Sequence, residues 1–159
     1  MEIRGLTPGE QPPWDLLLLA DPSRDMASQY LEEGLFYIAV SDASETLGVI
    51  VLLPVGGHSI EIKNLAVAEP AQGKGIGKSL LAHGIQVARK KAYKTIEIGT
   101  GNSSINQLAL YQKAGFRIIG ILHDYFLKNY PEPIYENGIQ CRDMIRLTMC
   151  LSNETKEKL

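Results

Sequence analysis

Gln72-Gly73-Lys74-Gly75-Ile76-Gly77-Lys78-Ser79 follows a run with strand character, Ser59 to Val67, and precedes a segment of helical periodicity. Ile76, Leu80, Leu81, Ile85 and Ala88 carry that periodicity and predict a helix from about Gly75 to Lys91. Glycine lets a backbone come close to a ligand. The first N–H groups of a helix have no internal partner and a partial positive charge. A glycine turn that opens a helix after a strand is therefore suited to hold a phosphate or pyrophosphate.

Two nucleotide-binding patterns fail here on register. In a Walker A loop the final Gly-Lys-Ser follows a first glycine and four intervening residues. Gly77-Lys78-Ser79 supplies the end, but the required first position is Gln72, and Gly73 comes one residue late. A Rossmann turn places glycines at its first, third and sixth positions. Counted from Gly73 the sixth position is Lys78, and from Gly75 it is Leu80. A plain tight turn, with glycines kept for helix–sheet packing, is the structural alternative.

Working outward, the chain opens with a short strand, Glu2 to Leu6, and Pro12-Pro13 then starts a helix from Trp14 to Ala20. Asp21-Pro22-Ser23 breaks it and caps a second helix, Arg24 to Glu33, which Gly34 closes. Strand-like runs follow at Leu35–Val40 and at Thr46–Leu53, the latter ended by Pro54, and Gly56-Gly57 turns into Ser59–Val67. In that last run the alternation of Ile60, Ile62, Asn64 and Ala66 with Glu61, Lys63, Leu65 and Val67 is imperfect, which a bulge or two-sided burial would explain. Beyond the glycine-turn helix come a strand at Thr95–Thr100 and a helix capped by Ser103 or Ser104 and ended by Gly115. Two further strands are expected at Phe116–Leu122 and Asp143–Leu151, with a hairpin signal at Asn137-Gly138 between them. His123 to Pro133 reads as a bulged hairpin or a loop over the site. The order predicts a single α/β or α+β domain over residues 1–159.

Composition narrows the function. The 159 residues are 45% apolar and 21% charged, ordinary for a soluble domain with a real core. A net charge of −2 argues against a nucleic-acid binder, which needs clustered cations. Arg89, Lys90, Lys91 and Lys94 gather near the end of a predicted helix, where cations complement its dipole. No stretch reaches a membrane span and no leader is read at the start, so a cytoplasmic chain without membrane contact is expected. Cys141 and Cys150 are too few for a disulfide framework or a zinc site, and His58, His83 and His123 lack metal-ligand spacing; no metal is expected.

The Gln-x-x-Gly-x-Gly turn, coming after a strand that ends Leu65-Ala66-Val67, resembles the acyl-CoA pyrophosphate loop of the GNAT superfamily of N-acetyltransferases. Downstream, Leu110-Tyr111-Gln112-Lys113-Ala114-Gly115-Phe116 resembles the second signature of that family, and the two stand in the family's order. The resemblance covers about Leu35 to Leu151. It implies a mixed, mainly antiparallel sheet of six to seven strands, with helices on both faces and a splayed pair of central strands.

The resemblance also implies roles. Leu65, Ala66 and Val67 would lie along the pantetheine arm of acetyl-CoA, their main chain pairing with it and an N–H near Val67 facing the acetyl oxygen. Gln72, Gly73, Lys74, Gly75, Ile76, Gly77, Lys78 and Ser79 would receive the pyrophosphate. Tyr111 would give a proton to the leaving thiolate, since a phenol and a thiol have ordinary pKa values near enough for assisted transfer. Glu61 would take a proton from the amine, directly or through water. Many family members carry an asparagine seven residues before the tyrosine; here that position is Ser104, so Asn106 is the candidate coenzyme contact. The acceptor is an amine of an unidentified small molecule or peptide. The acids and aromatics from His123 to Glu136 suit a small cationic amine or, equally, a homodimer interface. An acyl-CoA-binding sensor of the same fold, without turnover, is the rival reading.

Overall fold

The computed structural model describes residues 1–152, which divide into two compact units, Met1–Tyr93 and the residues from Lys94 on. In the first unit β1 (Glu2–Gly5), β2 (Leu35–Val40), β3 (Thr46–Gly56) and β4 (Ser59–Val67) form an antiparallel sheet in chain order. Helices cover both of its faces. On one, α1 (Trp14–Ala20), α2 (Arg24–Ser28) and the turn after α2 pack Leu16, Leu17, Ala27 and Tyr30 against Val49, Val51 and Ala66. Leu17, Val49 and Val51 are wholly buried, and each such side chain contributes about 1.5–3 kcal/mol by leaving water. The Arg24 guanidinium lies 3.9 Å over the Trp14 ring and ties α2 to the start of α1.

On the other face α3 (Ile76–Lys90) crosses Gly48 and Ile50. A Cβ on Gly48 would stand 2.8 Å from a Leu80 methyl and 2.9 Å from the Ala66 carbonyl oxygen, so the close seat of the helix requires glycine there. Arg89 and Lys90 occupy the last turn of α3, as expected. Two expectations change. The second helix ends at Ser28 rather than Glu33, because the N–H groups of Gln29, Tyr30 and Leu31 reach back three residues instead of four. Its expected cap holds: Ser23 Oγ accepts from Met26 N at 3.2 Å. Strand β3 also runs past Pro54, which pairs with Ile60, and beyond Pro54 the register shifts before Gly56 pairs with Ser59.

In the second unit β9 (Met144–Cys150) lies between β5 (Thr95–Gly101) and β6 (Arg117–Leu122), antiparallel to both. Helix α4 (Ile105–Ala114) connects β5 to β6 and ends at Gly115. Phe116, Leu147, Ile96 and Ile98 are buried in this unit. The stretch after β6 is a short helix, α5 (Tyr125–Asn129), rather than the bulged hairpin or loop read from its sequence. Asn137 and Gly138 do make a tight turn, both at positive φ, between the two-residue strands β7 (Tyr135–Glu136) and β8 (Ile139–Gln140). The seven longer strands, four in one unit and three in the other, meet the expected six to seven.

Candidate active site

The glycine turn has the geometry its sequence promises. A 3₁₀ turn at Glu69–Ala71 leads in, Gly73 and Gly75 adopt φ of +78° and +83°, and α3 begins at Ile76. The first internal bond of the helix runs from Ser79 N to Gly75 O, and no side chain caps the end. The N–H groups of Ile76, Gly77 and Lys78 thus precede the helical ladder. Among the described residues none of them meets an acceptor. Gln72, Gly73, Lys74, Gly75 and Lys78 are exposed, while Ile76 is buried and Ser79 half-buried. An added Cβ would meet nothing within 4 Å at Gly73 or Gly75, so left-handed backbone, not crowding, is what calls for glycine. Unpaired donors at a helix start, with two lysines beside them, fit an anionic group such as the pyrophosphate of a coenzyme.

Gln72 takes a different part from the glycines. Its Nε2 donates to the Val67 carbonyl at 3.0 Å and so straps the turn to the end of β4. Along β4 the register slips between Val51 and Leu52, leaving Lys63 without a partner on β3. This is the bulge that the uneven alternation suggested. It separates two faces: Leu65 and Val67 stand opposite Ile50 and Gly48 on the α3 side, and Asn64 and Ala66 stand opposite Val51 and Val49 on the α1 side. Glu61, just before the bulge, has a side chain only 12% exposed, with its carboxylate 3.4 Å from Lys63 Nζ.

Asn64 received no role from its sequence, yet it is 3% exposed and holds the helical side of the site together. Its Nδ2 donates to the Leu17 carbonyl and the Tyr30 hydroxyl, both at 2.9 Å. A carbonyl can only accept, so the amide orientation is settled, and Oδ1 is left buried without a partner. The one sequence signal was an asparagine in a strand register otherwise filled by Ile60, Ile62 and Ala66.

The second unit carries Tyr111 and Asn106 on α4. Tyr111 is the sole buried residue of that helix, packed edge-on to Phe116 with ring centroids 6.2 Å apart. Burial pushes its phenol well above the ordinary value. That widens the gap to a thiol that had been expected to be small. Tyr111 keeps its proton throughout the neutral range and is fit to donate a hydrogen bond to a thiolate. Asn106 is exposed, as its five-residue offset from Tyr111 implied.

The serines before α4 were expected to cap it. Ser104 does stand at the N-cap, but its hydroxyl donates to Glu136 Oε1 at 2.8 Å, and Ser103 Oγ reaches the same oxygen at 3.3 Å. Asn137 Nδ2 adds a bond to the Ser103 carbonyl. Glu136 is therefore engaged within its own unit, and Asp124 pairs with Arg142 at 3.3 Å. Among the described residues no three His, Cys, Asp or Glu side chains gather as a metal site, and Cys141 and Cys150 are free thiols. No helix among them is long and apolar enough to cross a membrane.

Comparison with known proteins agrees with this geometry. The model of the acetyltransferase (GNAT) family matches residues 6–116. The uncharacterized N-acetyltransferase YvbK of Bacillus subtilis is 56% identical over 138 residues, covering 87% of this chain and 88% of that protein. A GNAT family acetyltransferase from Elizabethkingia anophelis, solved with acetyl-CoA bound, superposes with a TM-score of 0.91 at 53% identity, over 94% of this chain and 97% of that one. A Bacillus subtilis acetyltransferase solved in complex with CoA gives 0.87 at 53% identity, over 94% and 98%. The chain belongs to the acetyltransferase (GNAT) family, and it is an acetyl-CoA-dependent N-acetyltransferase.

Proposed function

We propose that residues 1–159 act as one catalytic domain that transfers acetyl directly to the primary amine of a small cationic molecule. The observation that carries the coenzyme half is the row of unpartnered N–H groups at Ile76, Gly77 and Lys78 behind two left-handed glycines. With Gln72, Gly73, Lys74, Gly75 and Ser79 they take the pyrophosphate. The main chain of Leu65, Ala66 and Val67 lies along the pantetheine, which requires β4 to diverge from its neighbour and leave ladder groups for the arm. Asn106 adds a coenzyme contact.

Glu61 serves as the base. An amine must lose its proton before it attacks, and a shielded carboxylate beside the β4 bulge is suited to take it. Tyr111 donates to the sulfur as negative charge develops there. Neither cysteine has a part: Cys141 is buried, Cys150 follows at the end of β9, and transfer without a covalent enzyme intermediate needs no thiol. The cationic character of the acceptor rests on acidic and aromatic residues after β6, among which Glu132 is exposed. The two free thiols suit a reducing compartment, and we place the protein in the cytoplasm as an assembly of two copies.

Isothermal titration with acetyl-CoA, using ATP as control, tests the coenzyme half. Micromolar acetyl-CoA binding and no ATP binding are expected, and ATP binding without acetyl-CoA would overturn it. A panel of polyamines, aminoglycosides, amino acids and peptides, read by release of free thiol, then identifies the acceptor. Turnover confined to neutral or acidic amines would end the cationic reading.

A further inference from the structure

The sheet face that α1 covers holds two polar atoms whose bonding capacity the chain leaves unused. Asn64 Oδ1 is buried, and no donor among the described residues reaches it. The Tyr30 hydroxyl, on a residue 4% exposed, accepts from Asn64 Nδ2 but gives its own proton to no acceptor there. One spare acceptor and one spare donor thus share a space within the cluster of Leu16, Leu17, Ala27 and Val51. In apolar surroundings an unpaired polar atom is costly, and its partner is normally protein or ordered water.

Neither group can relieve the other directly. Turning the Asn64 amide over would set Oδ1 against the Leu17 carbonyl, which can only accept and already takes Asp21 N at 3.0 Å. Nδ2 is the atom that faces the Tyr30 oxygen, so the phenol cannot donate along that line. A single water satisfies both, accepting from the Tyr30 O–H and donating to Oδ1. It then has one hydrogen left.

The bulge in β4 says where that hydrogen goes. Three residues apart, Glu61 and Asn64 would stand on opposite faces of a regular strand. The unpaired Lys63 puts them on one. Glu61 lies opposite Leu53 and Asn64 opposite Val51, and both of those pack into the cluster under α1 and α2. Successive side chains on one strand face are about 7 Å apart at Cα, a span that one bridging water closes. A carboxylate has lone pairs to accept such a bond beside the one it gives to Lys63.

We propose that one internal water joins the Tyr30 hydroxyl, Asn64 Oδ1 and the Glu61 carboxylate, making Tyr30 and Asn64 positioning residues for the base. The water accepts one bond and donates two, about three in all being usual for a buried water. Glu61 is then held by two groups, the Lys63 ammonium and the water. Through Asn64 Nδ2 and the Leu17 carbonyl the same network reaches the end of α1. The positioning role rests on the reading of Glu61 as base, whereas the water site does not.

A crystal structure at a resolution that orders internal water should place one within about 2.7–3.2 Å of Tyr30 Oη, Asn64 Oδ1 and a Glu61 carboxylate oxygen. In Tyr30→Phe, which deletes a single oxygen, that water should be lost and the Glu61 carboxylate should turn. Kinetics follow with the most reactive amine of the panel above. Tyr30→Phe should lower kcat about tenfold, as a misplaced reacting group does, with acetyl-CoA affinity unchanged. In a Glu61→Gln background Tyr30→Phe should have no further effect, because the carboxylate it acts through is already gone. A dry cavity overturns the proposal, and so does a Tyr30 hydroxyl bonded straight to Asp21, whose charge acts on it. An equal loss of kcat in the two backgrounds would show that Tyr30 only packs, and would overturn the positioning role. If the water is present and Glu61→Gln keeps full kcat, the base reading fails and the positioning role falls with it.

Discussion

Helices α3 and α4 both begin without a side-chain cap, for opposite reasons. At α3 nothing in the chain competes for the first amides, since Gly73 and Gly75 have no side chains to offer. The donors stay free for a ligand. At α4 two serines stand where caps belong, but Glu136 takes both hydroxyls, and a hydrogen-bonded hairpin is strapped over the helix start. One start is left open and the other is clamped. An uncapped helix end therefore says little until the destination of nearby polar groups is known.

The largest effect expected from disturbing this contrast is at the clamped helix. Tyr111→Phe keeps the packing against Phe116 but removes the phenol. Steady-state kinetics should show kcat lowered about 100-fold with acetyl-CoA affinity unchanged. Equal losses in affinity and kcat would mean that Tyr111 only packs.

The open start should respond in the reverse sense. Gly75→Val forces a β-branched residue to φ of +83°, at about 1–2 kcal/mol of backbone strain. Calorimetry should find acetyl-CoA bound at least about tenfold more weakly. Binding as tight as wild type would remove the loop from the coenzyme site.

Glu136→Ala tests the clamp with a smaller effect. Releasing the two serines should lower the melting temperature by a few degrees, for a loss of about 1 kcal/mol, without changing acetyl-CoA affinity. Glu136→Gln keeps an acceptor oxygen and should restore most of it. A higher melting temperature in Glu136→Ala would show that the freed Ser104 caps α4 better than the clamp holds it.

The smallest effect lies away from both helix starts and controls for the integrity of the first unit. Burial pushes the Tyr30 hydroxyl up to about 12, against about 10 in the unfolded chain. Between those values the unfolded chain has released the proton and the folded chain has not. Stability is therefore full below pH 10 and falls as pH rises to 12. Tyr30→Phe should flatten that slope and cost about 1 kcal/mol at neutral pH through the bond to Asn64. A slope unchanged in the variant would assign the titration to another group.

How much of this was legible beforehand depended on how local each interaction is. Gly73 and Gly75 declared their turn because positive φ is a property of the residue itself. Ser59–Val67 and Leu35–Val40 declared their bounds through alternation and flanking turn residues, and even the bulge at Lys63 showed as broken alternation. The second helix was read too long because Gln29 to Glu33 have helical propensity, and propensity does not report a switch to three-residue bonds. Ser104 was read as a cap because its competitor, Glu136, is 32 residues away.

The sequence by itself determined the order of the longer strands and helices, the glycine turn and the family to which the chain belongs. Those follow from backbone preferences and from short spacings that survive without knowledge of neighbours. Only the tertiary structure decided that Asn64 joins α1 to the bulged strand, that Glu136 disarms the α4 caps and that burial raises the Tyr111 phenol. Each of these depends on which distant groups share one dehydrated space, where an amide, a hydroxyl or a phenol must settle its hydrogen bonds and charge with whatever the fold has placed beside it.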